Sequence, residues 1–196
     1  MFKKIGLLAL LASLAGCFDS STSNSASDIA AKQVEYTPAS VGESVILSDE
    51  ALDELSLIHN ESIGDLKIGM AVSDFISLVP CSVEKGEPVL WAGIGEIVQE
   101  WDYSECGVTM QLSTVDAKIP QAVSSITVVA PSEFKTARGI GIGSTEEEVI
   151  EAYQDQEDPT ISESGETFVA GSIYGGLFFT FNEGQVVKMF LGGGAE

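Results

Sequence analysis

The strongest constraint on the fold is the run Gly139-Ile-Gly-Ile-Gly-Ser-Thr-Glu-Glu-Glu-Val-Ile-Glu-Ala-Tyr153. It reads as a short strand, a tight glycine turn and a capped helix. Ser144 is placed to cap the first turn, and Glu147 three positions on completes a Ser-x-x-Glu capping box. Glu146, Glu147 and Glu148 set negative charge against the positive end of the helix dipole. Val149, Ala152 and Tyr153 fall at i, i+3 and i+4, giving one apolar stripe to lay on a sheet. A weaker copy, Leu66 to Val79, lies 74 positions earlier, where Ile68, Gly69 and Ile76 match Ile142, Gly143 and Ile150. There Phe75, Leu78 and Val79 form the stripe, Pro80 ends the helix, and Met70 stands in place of the capping serine. Two copies of one unit predict an α+β fold of two tandem repeats, each a helix followed by antiparallel strands, with the helices on one face of the sheet. The first repeat is expected over residues 41–135 and the second over 136–196, together one compact domain.

Strand signals fill the rest of that frame. Glu84 to Gly95 reads as a loop, with Pro88 and several glycines around Trp91. Glu96 to Tyr103, Val108 to Ser113 and Ser124 to Ala130 read as strands; Val108, Met110 and Leu112 alternate with polar neighbours, and Pro131 closes the third. Asp155 to Ser164 is an acidic loop and Thr167 to Ala170 a short strand. Leu177 to Phe181 and Gln185 to Leu191 flank Asn182-Glu-Gly184, a hairpin signal that sets Leu177, Phe179 and Phe181 inward with Val187, Met189 and Leu191. Upstream, Val41 to Leu47 reads as a strand. Ser48 then caps a helix running to about Ile58, with Leu52, Leu55 and Ile58 inward.

Lys3 and Lys4 precede an apolar run from Ile5 to Leu14, the pattern of a signal peptide over residues 1–16. The run is shorter than the about 20 apolar residues that span a bilayer. It ends in Leu14-Ala15-Gly16-Cys17, which resembles the lipobox of bacterial lipoproteins. The resemblance implies cleavage before Cys17, diacylglycerol on its sulfur and usually a third acyl chain on its nitrogen, an anchor that holds stably. Phe18 rather than an aspartate follows Cys17. By analogy with Gram-negative lipoproteins this favours the periplasmic side of the outer membrane over retention at the inner membrane. Residues 17–40 then form a polar tether, Ser-rich from Ser20 to Ser27. Removing residues 1–16 takes away Lys3 and Lys4, so the net charge goes from -21 to -23 (-21 - 2). With Cys17 lipidated, Cys81 and Cys106 remain, and in the oxidising envelope a disulfide between them is expected.

The strand-turn-helix with Ile-Gly-x-Ser/Thr-x-x-Glu, followed by a strand meander, resembles the tandem-repeat fold of the β-lactamase inhibitor proteins. It also resembles the single helix-plus-sheet unit of the small lipoprotein subunit of the outer-membrane β-barrel assembly machine. A closer likeness is to a family of small lipoproteins regulated by the envelope-stress sigma factor. It rests on Gly42 to Ser48, Cys81 and Cys106, Ser125 to Pro131, and Gly139 to Gly143. These resemblances imply the fold and the compartment, and carry no catalytic residues.

Little else points to chemistry. Gly139 to Gly143 lacks both the Gly-x-Gly-x-x-Gly and the Gly-Lys-Ser/Thr of nucleotide loops, and three glutamates follow where phosphates would dock. The single histidine, His59, builds no metal site by itself, and neither His-Glu-x-x-His nor Gly-x-Ser-x-Gly occurs. No catalytic residue, metal or cofactor is therefore assigned. Nucleic acid is excluded as a direct partner by a net charge of -21 and a single arginine, Arg138. Ten acids and no Lys or Arg lie between Gly139 and Val187: Glu146, Glu147, Glu148, Glu151, Asp155, Glu157, Asp158, Glu163, Glu166 and Glu183. Such a run is a solvated face, a docking surface for a basic protein or, ranked last because the loop pattern Asp-x-Asp-x-Asp-Gly is missing, a calcium site. Glu147, Glu148 and Glu151, with Trp91 as a possible aromatic anchor, make up the candidate binding surface; Trp101, alternating with Tyr103, reads as core. The expected role is a lipid-anchored, non-enzymatic envelope protein that binds another protein, as an assembly accessory or envelope-stress factor, with a basic envelope protein as the candidate partner. The alternatives are an inhibitor of a cationic envelope enzyme such as lysozyme and, ranked lower, a carboxylate-dependent hydrolase.

Overall fold

A computed structural model describes residues 57–194 of the chain. The signal segment, Cys17, the tether, the strand expected at Val41 to Leu47 and the part of the Ser48 helix before Leu57 lie outside the described residues. Residues 57–60 form a helical turn. Then follow α1 (Val72–Phe75), β1 (Glu84–Lys85), β2 (Val89–Trp91), β3 (Glu96–Tyr103), β4 (Val108–Thr114), β5 (Ala122–Val129), α2 (Glu146–Tyr153), β6 (Thr167–Ser172), β7 (Gly175–Asn182) and β8 (Gln185–Gly192). The described chain is α+β: an eight-stranded sheet in the order β1-β3-β4-β5-β8-β7-β6, with β2 also on β3, and a few short helices. Every pairing is antiparallel.

The period-2 pattern places the core. Val108, Met110 and Leu112 from β4, Ile126 and Val128 from β5, and Leu177, Phe179, Met189 and Leu191 from β7 and β8 are all buried. Phe75 from α1, Val79 just after it, and Val149 and Tyr153 from α2 pack into the same cluster. Trp101 is core, with its ring edge-on to Phe75 at 5.7 Å between centroids. Val187 is exposed and Val186 takes its place inside, because a register shift between Thr180 and Phe181 turns the strand by one position.

Three local features depart from the sequence reading. The stretch Glu84 to Gly95 contains two edge strands. Gly86 N donates to Glu100 O at 2.8 Å, so this stretch satisfies backbone groups that β3 would otherwise leave unpaired. The first helix is a single turn ending at Phe75, entered at Ala71 without a side-chain cap, so Leu78 and Val79 of the expected stripe lie beyond its end. The cap of α2 lies one residue later than Ser144. Thr145 accepts from Glu148 N at 3.2 Å, and the Glu148 carboxylate accepts from Thr145 N at 2.8 Å. Ser144 belongs instead to the glycine turn. Its hydroxyl accepts from Gly141 N at 3.2 Å and its carbonyl from Val186 N at 2.8 Å.

Cys81 and Cys106 form the disulfide, 25 positions apart with Cα atoms 6.0 Å from each other. On loop-entropy grounds the bridge stabilises the fold by about 3–4 kcal/mol. Beside it Gly107 has φ 62°, and a Cβ there would lie 2.2 Å from Val129 O, so only glycine fits the turn.

The two sheet edges differ. Along β6, Glu157 bridges Ala170, Asp158 N donates to Val169 O at 2.8 Å and Val169 N donates to Ser162 Oγ at 3.1 Å. A loop therefore covers that edge. At the other edge β1 and β2 are interrupted at residues 86–88, where Pro88 lies, and among the described residues no strand pairs outside them.

Antiparallel pairing also sorts the connections to two ends. The β2–β3 turn (92–95), the β4–β5 loop (115–121) and the β6–β7 turn (173–174) share one end. The β3–β4 connection (104–107) and the β7–β8 turn (183–184) share the other. The start of α2 is tied to that second end by the Thr145–Gln185 bridge and by Glu146 N donating to Gly184 O at 3.1 Å.

Candidate functional site

The acidic candidates sit on α2 at the second end. Glu147, Glu148 and Glu151 are all exposed. Glu148 is committed to the capping box, and neighbouring Glu146 to Ser164 Oγ at 3.1 Å and Gly165 N at 2.8 Å. Glu148 and Glu151 flank a shallow groove shared with Lys135 and Arg138, so the acidic face is bordered by cations on one side.

Arg138 anchors that border. It pairs with Asp155 at 2.7 Å, donates to Gln156 Oε1 at 2.7 Å and to the Ala152 carbonyl, and its guanidinium stacks on the Tyr153 ring at 4.7 Å. The hydrogen bond from Arg138 holds the Asp155 carboxyl below its ordinary range, and the same bond raises Arg138.

Beneath the helix lies a buried network that the sequence reading did not single out. Glu61 is only 5% exposed. Its Oε1 accepts from Ser62 N and Ala137 N at 2.9 Å each, and its Oε2 accepts from the Tyr153 hydroxyl at 2.9 Å. Burial pushes the Tyr153 phenol well above its ordinary value, so it stays a donor. A buried carboxylate held by three donors is a pinned structural acceptor. The one local signal for it is an acid lying between the apolar Leu57-Ile58 and Ile63.

Trp91 lies elsewhere. It closes β2 at the first end and is partly buried, lining a groove of about 470 Å³ with Ile94, Val98, Gln111, Ser113 and Gly193. The fold thus separates Trp91 from Glu147, Glu148 and Glu151 rather than joining them in one surface. His59 is exposed on the helical turn at residues 57–60. Among the described residues no group of three or more His, Cys, Asp or Glu is gathered to hold a metal ion, and no helix is long and apolar enough to cross a membrane.

Within this arrangement α2 offers exposed carboxylates to a cation, and the first end offers apolar side chains around a groove. Compared with protein-family models, curated proteins and solved structures, the chain matches none.

Proposed function

We propose that this chain is a lipid-anchored envelope protein on the periplasmic side of the bacterial outer membrane. Its role is non-enzymatic: the acidic end docks a basic envelope protein, as an assembly accessory or stress-related factor. The observation that carries this is the state of α2. Glu147 and Glu151 stand one turn apart, exposed, and among the described residues neither has a hydrogen bond or ion pair, although like charges at i and i+4 cost a few tenths of a kcal/mol. A cationic partner would relieve that repulsion and would associate fast by electrostatic steering.

We also propose that the fold arose by duplication of one helix-plus-meander unit. The supporting geometry is a set of equivalent contacts made by glycine turns 74 positions apart, to strand valines 63 positions apart. Gly69 and Gly143 have φ 83° and 87°, and each donates its N–H at 2.8 Å, to Val123 O and Val186 O. The carbonyls of Met70 and Ser144 accept from Val123 N and Val186 N in return, at 2.9 and 2.8 Å. Phe75 and Val79 occupy the buried places that Val149 and Tyr153 hold in the second unit.

The docking reading is tested by changing Glu147, Glu148 and Glu151 to Gln and crosslinking the anchored protein in intact cells. Glutamine still serves the capping box at residue 148. Recovery of a basic partner should fall, and what binding remains should lose much of its dependence on salt, since exposed charges are screened beyond about 8 Å at physiological ionic strength. The same partners recovered at every salt concentration would remove the acidic face from the function.

A further inference from the structure

Six large apolar side chains stand exposed at the first end. They are Leu90 (65%) and Ile94 (62%) by the β2–β3 turn, Val115 (68%) and Ile119 (50%) in the β4–β5 loop, and Ile173 (38%) and Tyr174 (80%) in the β6–β7 turn. The charge here is as unusual as the exposure. Residues 92–95 and 173–174 carry none, and Asp116 and Lys118 cancel within 115–121, so the three connections sum to zero in a chain of net charge -21. The tips are also linked. Gly193 lines the groove that holds Trp91 and Ile94, and the next residue, Gly194, donates its N–H to Ile173 O at 2.7 Å.

The described chain begins at this same end. A Cβ on Gly171 would lie 3.1 Å from Leu57 Cδ2, and one on Gly175 would lie 3.4 Å from Ile58 Cδ1; both glycines flank the β6–β7 turn. Leu57 lies forty positions after Cys17 (57 - 17). The polar tether expected over residues 17–40 would, as a flexible coil, span about 27 Å end to end.

We propose that this end lies against the lipid surface in which Cys17 is anchored, with Ile94, Ile119 and Tyr174 dipping into the interface. The proposal rests on the anchor reading above. Scattered aliphatic and aromatic tips suit a bilayer interface, which accepts them singly and favours tyrosine at headgroup level. A strongly acidic protein meets a membrane with anionic lipids best through its least acidic surface, here one whose charges are Asp116, Lys118 and the groove's Glu96, because the carboxylates crowded on α2 are repelled. The orientation leaves α2 at the far end of the sheet, turned toward the periplasm.

The test uses full-length chain whose Cys17 thiol has been coupled to a maleimide lipid in phosphatidylcholine vesicles carrying brominated acyl chains. Tryptophan is introduced in turn at Ile119→Trp, Tyr174→Trp and, near the other end of β8, Val187→Trp, in a Trp91→Phe background. Bromine should lower the emission of the first two and leave the third unchanged. Should Trp91→Phe impair folding, the same readings are taken as differences from the unsubstituted chain. Equal emission at all three positions, with the chain still on the vesicles, would overturn the proposal. A dimer of the uncoupled chain that Tyr174→Arg splits in sedimentation would also overturn it, by giving this end to a second copy. Because coupling supplies the anchor, the anchor reading is judged separately, by mass spectrometry of Cys17 from cells. An unmodified Cys17 would overturn that reading, and the quenching would still decide whether the end meets lipid.

Discussion

The Tyr153 hydroxyl donates to the Glu61 carboxylate at 2.9 Å, joining residues 92 positions apart across a buried site. The contact fixes the end of α2 on the segment that follows the helical turn at 57–60. Tyr153→Phe keeps the ring against Phe179 and removes only the donor, leaving one oxygen of a buried acid short of a partner. The expected loss is about 1–3 kcal/mol in urea unfolding. A loss below about 0.5 kcal/mol would mean that the network does not hold the helix.

The same phenol makes a prediction about pH. Burial raises both Tyr153 and Tyr103 above the ordinary value of 10.0. Folding therefore favours the protonated phenols. Their contribution is fully present below the ordinary value and is lost as pH rises past it, because the unfolded chain releases its protons first. Unfolding midpoints should hold steady to about pH 9.5 and then fall, and the fall should be shallower in Tyr153→Phe. Identical alkaline profiles for the two chains would refute this.

The helix start is checked by two alanine substitutions. Thr145→Ala removes the hydroxyl that accepts from Glu148 N and should cost about 1 kcal/mol. Ser144→Ala removes a contact to Gly141 N within the turn, and the helix keeps its cap. The loss of α2 helicity, read by amide exchange at Glu147 and Glu148, should follow Thr145 alone. Fraying after Ser144→Ala would restore the cap to the earlier residue.

The central strands were legible because each alternates apolar and polar residues on a half-buried sheet, as Val108 to Leu112 does. The stripe of α2 was legible for the same kind of reason. The exchange of Val186 for Val187 was not, since it depends on a register shift that no single strand encodes. The edge strands around Pro88 were hidden by turn-forming residues, and pairing to β3 alone makes them strands. Glu61 was invisible as a site residue because its partners, Ala137 and Tyr153, come from distant parts of the chain. The exposure of Glu147 and Glu151 could be anticipated, but their separation from Trp91 required knowing which end each connection occupies.

The unequal edges of the sheet bear on assembly. Fibrous stacking needs two open flanks per molecule, one to receive a strand and one to offer one on. Here the loop after α2 already occupies the β6 flank with Glu157, Asp158 and Ser162. A strand added beside β2 would thus complete the molecule instead of extending it. Any association through backbone pairing at that open flank therefore stops at a single junction, so it limits itself to pairs.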